Sequence, residues 1–199
     1  MSIEQALAER GQRITRLSQV LEGLPLSRGP LTLEIGCGHG HFLTAYALHH
    51  PEVFCVAIDL IADRLERAGR KSSRAGIKTI SWIKADAAEL LDAWPAGVSI
   101  TRHIFILFPD PWPKRRHWKN RLIQPDFLSR LAAISAPGVG LCFRTDHAPY
   151  YDAAVAVIRQ HPDWELLDAA NWPFEERTVF QQRAPEYHSA VARRRPRGD

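Results

Sequence analysis

The 199-residue sequence predicts an α/β fold, a mainly parallel seven-stranded sheet flanked by helices. Three observations predict it. Short apolar runs alternate with amphipathic stretches at βαβ spacing, which puts helices on both faces of a parallel sheet. A glycine cluster, Gly36, Gly38 and Gly40, follows the first apolar run directly. Asp59, Asp86, Asp110 and Asp146 each fall at the end of a later run, the edge where such sheets bind ligands.

Residues 3–24 carry Ile3, Ala6, Leu7, Ile14, Leu17 and Leu21 at near-helical spacing and are predicted as a helix. Pro25 and Pro30 break that pattern. Residues 31–35 read as a buried strand, and 41–49 resume helical character after the glycines. Residues 54–58 give the second strand, 62–75 a basic amphipathic helix and 79–83 the third strand. The fourth, 103–108, runs straight into Pro109-Asp110-Pro111-Trp112-Pro113. A helix is expected over 122–135, a fifth strand from Gly138 or Gly140 to about Thr145, and a helix over about 149–160. Weaker candidates at 164–167 and 177–182 complete the seven strands. No repeat, low-complexity tract or linker divides the chain.

Hydrophobic residues make up 45% and charged residues 24%, which fits a globular protein and excludes disorder as the main state. No apolar run approaches the roughly 18 residues of a spanning helix. The opening MSIEQALAERGQR carries acids and has no apolar centre, so no signal peptide is expected and a cytoplasmic protein is the default. Cys37, Cys55 and Cys142 are widely spaced, which disfavours a disulfide framework or structural zinc. His39, His41, His49, His50 and His147 lack a third partner at ligand spacing, and no metal is expected.

The first hundred residues are charge-balanced, so the net +4 sits in the second half. Lys114, Arg115, Arg116, Lys119 and Arg121 form one cluster, and Arg193, Arg194, Arg195 and Arg197 another. Local cation clusters drive phosphate binding. The plain reading of the C-terminal cluster is a solvated face or loose tail. Arg10, Arg13 and Arg16, three apart on a helix, likewise read as a solvated face.

Glycines after a first strand let the backbone approach a ligand closely. A dinucleotide turn has G-x-G-x-x-G; here the third glycine comes one residue early. Glu34 precedes the loop, where a carboxylate is unhelpful to a pyrophosphate but suits a cationic or amino group. Asp59 stands where it can accept ribose hydroxyls. Asp86 can accept from an adenine amino group, and equally can cap a helix starting at Ala87. This pattern resembles motif I and its successors in the Rossmann-like class I S-adenosylmethionine methyltransferases.

The stretch Phe108-Pro109-Asp110-Pro111-Trp112-Pro113-Lys114-Arg115-Arg116-His117 is the most informative. Pro111 keeps Asp110 out of the helical region and Pro109 fixes its own φ, so Asp110 is held on a stiff turn. Trp112 offers a face to a base and the cations behind it suit phosphates. Here the chain resembles the bacterial tRNA (guanine-N7-)-methyltransferases, whose signature is F-P-D-P-W-x-K-x-R-H. The resemblance continues through Thr145-Asp146 and Tyr150 to Thr178-Val179-Phe180-Gln181, where the family has T-x-[FY]-E.

The resemblance implies transfer of a methyl group from S-adenosylmethionine to N7 of a guanosine in tRNA. It implies cofactor contacts from Glu34, Gly36, Gly38, Gly40, Asp59, Asp86 and Asp110, with Asp110 also catalytic. Lys114, Arg116, His117, Arg121, Asp146, Thr178 and Gln181 become substrate residues. The chain then reads as one domain, 1–199, with an N-terminal helix (1–24), a cofactor-binding core (31–160) and a substrate-side part (161–199). tRNA is the expected partner, with no membrane and no obligate protein partner, as monomer or homodimer.

Guanine N7 carries a lone pair and no proton, so the enzyme's task is alignment rather than base catalysis. Asp110 is expected to stabilise charge developing on the guanine, or to orient its amino groups. Two departures stand out. Gln181 replaces the family glutamate and has one acceptor oxygen where a carboxylate has two, unless Glu175 or Glu176 takes over. Gln182-Arg183-Ala184-Pro185 replaces an Arg–Gly-rich continuation. The alternatives are the same fold with a drifted RNA or small-molecule substrate, or an RNA-binding relative without turnover.

Overall fold

The computed structural model describes residues 2–168, 170–176 and 186–196. In chain order it contains α1 (Ile3–Glu22), β1 (Leu31–Ile35), α2 (His41–His49), β2 (Phe54–Asp59), α3 (Ala62–Arg74), β3 (Ile80–Lys84), α4 (Ala87–Ala93) and β4 (His103–Leu107). A 3-10 helix (Arg115–Asn120), α5 (Pro125–Ala133), β5 (Gly140–Thr145), α6 (Ala148–Gln160), β6 (Trp164–Leu166) and β7 (His188–Arg194) follow. The strand order is β3-β2-β1-β4-β5-β7-β6. β1 to β5 run parallel, and β7 is antiparallel to both β5 and β6.

The central strands are apolar on both faces because both faces are covered. Side chains alternate along each strand and so divide into two cores. Leu31, Leu33, Ile35, Ile104 and Ile106 pack with residues of α1, α4, α5 and α6. Cys55, Ala57, Phe105 and Leu107 pack with Phe42, Leu43 and Tyr46 of α2 and Leu65 of α3. The parallel strands therefore end together at one edge, where the glycines and the four aspartates lie.

Ser2 caps α1 through a reciprocal capping box with Gln5. Arg13 of α1 pairs with Glu89 of α4 at 2.7 Å. Arg10 pairs with Asp92, which also receives Arg130 of α5. Arg10 and Arg13 thus dock α1 onto the core helices and are not merely a solvated face.

The C-terminal arginines correct a second expectation, since Arg193 and Arg194 lie in β7 rather than in a loose tail. Arg194 is buried and donates to the carbonyls of Ala132 and Asp163. Arg193 pairs with Glu165 at 2.8 Å, and Arg195 donates to the Trp164 carbonyl. A buried arginine is tolerable where backbone carbonyls and a carboxylate surround it. Segment 161–199 is therefore partly scaffold: β6 and β7 extend the same sheet. The strand expected at 177–182 lies outside the described residues. Among the described residues, no helix is long and apolar enough to cross a membrane.

Candidate active site

The loop between β1 and α2 is pinned to β2. Gly36 and Cys37 both donate to the Ile58 carbonyl, at 2.9 and 3.0 Å. Gly38 donates to Asp59 Oδ2 at 2.9 Å, and the other oxygen, Oδ1, accepts from Ile61 at 2.9 Å. Asp59 therefore shapes the loop and keeps one further acceptor lobe on each oxygen. Gly38 and Gly40 have φ of +54° and +66°, a region that side-chain-bearing residues avoid.

Glu34 sits beneath this loop. It is 2% exposed, and its Oε2 has no hydrogen-bond partner among the described residues. Burial, with the charge of Asp59 added, pushes its carboxyl up to about 8. A buried acid without a partner is expensive unless it awaits a donor or cation. Burial also pushes the Cys37 thiol up, so that sulfur is a packed thiol and not a nucleophile.

Asp86 caps α4 by accepting from Ala88 and Glu89 through Oδ1. The cap uses one of its two carboxylate oxygens. A cleft of about 780 Å³ opens beside it, lined by Arg16, Leu17 and Val20 of α1, by Leu60 and by Ile83. Of the sequence-derived site residues only Asp86 lines it; the glycines, Glu34, Asp59 and Asp110 do not. The sequence reading did not name Leu60, which is 64% exposed directly after Asp59. An apolar residue just past a strand-end acid was the available signal.

The proline-rich turn leaves β4 under strain. Phe108 and Trp112 have φ of +51° and +43°, rare for such side chains. Phe108 donates its amide to the Arg144 carbonyl at 2.7 Å. Asp110 is exposed on the turn, and Asp146 is exposed at the end of the neighbouring strand β5. The Trp112 ring meets His117 edge-on at 5.7 Å between centroids, and Arg116 Nε donates to His117 Nε2. Lys114, Arg115, Arg116 and Lys119 are all exposed on or beside the 3-10 helix.

Arg121 departs from expectation. It is 3% exposed and cannot present its guanidinium to a large substrate. Its Nε donates to the Pro111 carbonyl and its Nη1 to that of Pro149.

Arg144 was not anticipated either. Its buried guanidinium lies 3.9 Å from the centroid of Trp172 and 4.6 Å from that of Tyr187. It binds Glu175 through both terminal nitrogens and Ser189 through Nε. Glu175 is therefore engaged by Arg144, one bond to each oxygen, and remains largely exposed. Glu176 lies near enough to His41 for its charge to oppose the burial that lowers that histidine. Thr178 and Gln181 lie outside the described residues.

Residues 28–196 match the family model described as "Putative methyltransferase". The chain belongs to this methyltransferase family. The chain is also similar to curated proteins named tRNA (guanine-N(7)-)-methyltransferase. One from Rhizobium etli is 33% identical over 76% of the chain and 66% of its own length. One from Acidithiobacillus ferrooxidans is 37% identical over 71% and 62%. The chain spans just under two thirds of the first relatives it matches. Among solved structures, the 16S rRNA methyltransferase KamB aligns with a TM-score of 0.61 and 19% identity, over 84% of this chain and 88% of its own. TrmN from Thermus thermophilus aligns with a TM-score of 0.60 and 19% identity, over 92% and 48%. At those identities the likeness carries the Rossmann-like methyltransferase fold of this family member and nothing finer.

Proposed function

We propose that this methyltransferase transfers a methyl group from S-adenosylmethionine to N7 of a guanosine in tRNA, in the cytoplasm. The observation that carries the reading is the convergence at one sheet edge of the glycine loop and the strained turn bearing Asp110, with exposed cations directly behind it. The names of the relatives support the same substrate.

The residues fit this cofactor. Glu34, buried with an unpartnered oxygen, suits the donor's amino group. Asp59 has acceptor capacity left for ribose hydroxyls, Leu60 an apolar face for the adenine ring and Asp86 a carboxylate oxygen for its amino group. Gly36, Gly38 and Gly40 let the loop backbone approach the cofactor closely. When bound, S-adenosylmethionine supplies a methyl group already activated by its sulfonium.

This chain's own residues then position the acceptor. Guanine N7 needs no deprotonation, so no side chain acts as base. Asp110, on a rigid turn, orients the guanine and stabilises the positive charge that grows on it. Trp112 offers a stacking surface. Lys114, Arg116 and His117 hold RNA phosphates, and Asp146 contacts the acceptor from the neighbouring strand end. Thr178 and Gln181 take substrate roles by resemblance.

A second reading, the same chemistry on a different RNA position, is favoured by Gln181 and by the engagement of Glu175 with Arg144. One experiment separates the two. Purified protein is incubated with S-adenosylmethionine and unmodified bulk tRNA, and the digested nucleosides are analysed by mass spectrometry. 7-Methylguanosine that disappears with Asp110→Ala is the expected result. Its absence, with cofactor binding intact, overturns the proposal; a different methylated nucleoside supports the second reading.

A further inference from the structure

The connection from β4 to the cationic 3-10 helix contains the five-residue stretch Pro109 to Pro113, and three of the five are prolines. Proline has no amide hydrogen, so this stretch retains only the amides of Asp110 and Trp112. It cannot build a self-supporting network of turn hydrogen bonds. It also carries Trp112 at φ +43° and follows Phe108 at φ +51°. Strain of this kind persists only where surrounding structure over-determines it. The carbonyls of the turn must therefore find donors elsewhere.

Arg121 supplies one of them. Its Nε donates to the Pro111 carbonyl at 2.9 Å, one residue beyond Asp110. Its Nη1 donates at 3.3 Å to the Pro149 carbonyl, three residues beyond Asp146. The guanidinium carbon lies 4.5 Å from the Trp118 centroid and 4.9 Å from that of Tyr150. Tyr150 is itself fixed, its hydroxyl accepting from the Ile123 amide at 3.1 Å. Trp118 Nε1 donates in turn to the Pro113 carbonyl. One planar group thus joins the turn after β4, the first turn of α6 and the 3-10 helix.

We infer that Arg121 is a positioning residue for the transfer reaction, fixing the Asp110 turn against the first turn of α6, which follows Asp146. The inference rests on the function proposed above and adds to it. A phosphate contact needs an exposed cation, and Arg121 is 3% exposed. Lysine cannot replace it in this role. An ammonium can reach one carbonyl, but it has no plane to lie against two rings and no fork to reach both turns.

The test compares wild type, Arg121→Lys and Arg121→Met, each checked for folding by urea unfolding. Arg121→Lys keeps the charge and serves if Arg121→Met fails to fold. Displacement of a reacting group by about 1 Å costs up to roughly a hundredfold in rate. The expected result for Arg121→Lys is a fall in kcat of roughly tenfold to a hundredfold. KM for tRNA and the S-adenosylmethionine Kd should move less than about threefold, and the salt dependence of tRNA binding should not change. A phosphate contact behaves differently: Arg121→Met lowers the salt slope by about one and leaves kcat nearly intact. That pattern, or a folded Arg121→Lys with wild-type kcat, overturns the inference.

A second readout needs no activity. The Asp110 and Trp112 amide resonances should broaden or split in Arg121→Lys while those of β1 to β3 stay in place. Unchanged resonances overturn the tie between the turns. Wild-type protein that makes no 7-methylguanosine overturns the functional reading instead.

Discussion

A Cβ placed on Gly40 would stand 2.7 Å from both Cζ3 of Trp82 and Cβ of Ala68. The last glycine of the loop is thus held between a β3 side chain and α3, at a φ of +66°. Trp82 cannot easily retreat, because its indole nitrogen donates to Ser72 Oγ at 3.0 Å. Gly40→Ala therefore combines a steric clash with a disfavoured backbone. We expect it to cost about 2–4 kcal/mol in urea unfolding and to weaken S-adenosylmethionine binding at least about tenfold. Adding Trp82→Leu should recover part of the stability, since it removes the clash with Trp82 and leaves the contact with Ala68 and the strain. Gly40→Ala with wild-type stability would show that the loop is not packed this way.

On the proposed function, Glu34 should make cofactor binding depend on pH. Its carboxyl is raised from 4.5 to about 8, so the free protein holds a proton there at neutrality. A cationic amino group against it favours the ionised form and expels that proton. Affinity should rise as pH increases towards about 8, by at most about tenfold per unit, and then level off. Calorimetry at pH 7 in two buffers of different ionisation enthalpy should detect proton release on binding. Glu34→Gln should abolish the release, and equal heats in both buffers for wild type would contradict this role for Glu34.

The central strands were legible in the sequence because burial on both faces makes them continuous apolar runs; β1 to β5 fall within a residue or two of expectation. β7 was not, because Ser189, Ala190, Val191 and Ala192 are small and Arg193 and Arg194 resemble a tail. Its strand character comes from antiparallel pairing with β5 and β6, which no local pattern reveals. The cap that the sequence offered at Asp86 is present. Arg121 and Arg144 were not legible in their roles. Their partners, Pro111 with Pro149 and Trp172 with Tyr187, are brought together only by the sheet.

Half-buried His103 and buried Glu34 should set opposing limits on stability. His103, whose Nδ1 lies 3.1 Å from the Tyr46 hydroxyl, is lowered by burial from 6.5 to about 4. Between those values the unfolded chain binds the extra proton, so stability falls as pH drops through that window. Glu34 has the opposite sign: from 4.5 to about 8 the folded state holds the proton, so stability falls as pH rises. The two slopes offset each other between about pH 5 and 6.5, where urea midpoints should be highest. Glu34→Gln should flatten the loss above pH 6.5, and His103→Leu the loss below it. Variants that leave both limbs unchanged would remove these groups as the cause.

Arg144 and Glu175 test what the buried cation contributes. Glu175 is largely exposed, so Glu175→Gln should cost no more than about 1 kcal/mol. Arg144→Ala should cost about 3 kcal/mol or more, because it empties the space between Trp172 and Tyr187 and strips Ser189 and Glu175 of their donor. Urea unfolding of the two single variants and the double variant measures their coupling. Equal losses for both single variants would mean that the ion pair, rather than the stacking, carries the stability.

Asp59 and Asp110 should separate binding from turnover. Asp59 accepts from Gly38 and Ile61 and so holds the cofactor loop in shape, whereas Asp110 stands exposed on the turn after β4. Asp59→Ala loses both backbone ties and the ribose acceptor, so the Kd for S-adenosylmethionine should rise at least about tenfold and stability should drop by about 1–3 kcal/mol. Asp110→Ala removes a charge that matters when positive charge grows on the guanine, so kcat should fall by about a hundredfold or more while the Kd changes little. Calorimetry and single-turnover kinetics on each variant give the two numbers. Cofactor binding lost in Asp110→Ala and spared in Asp59→Ala would reverse the assignment and make the proline-held aspartate a cofactor anchor.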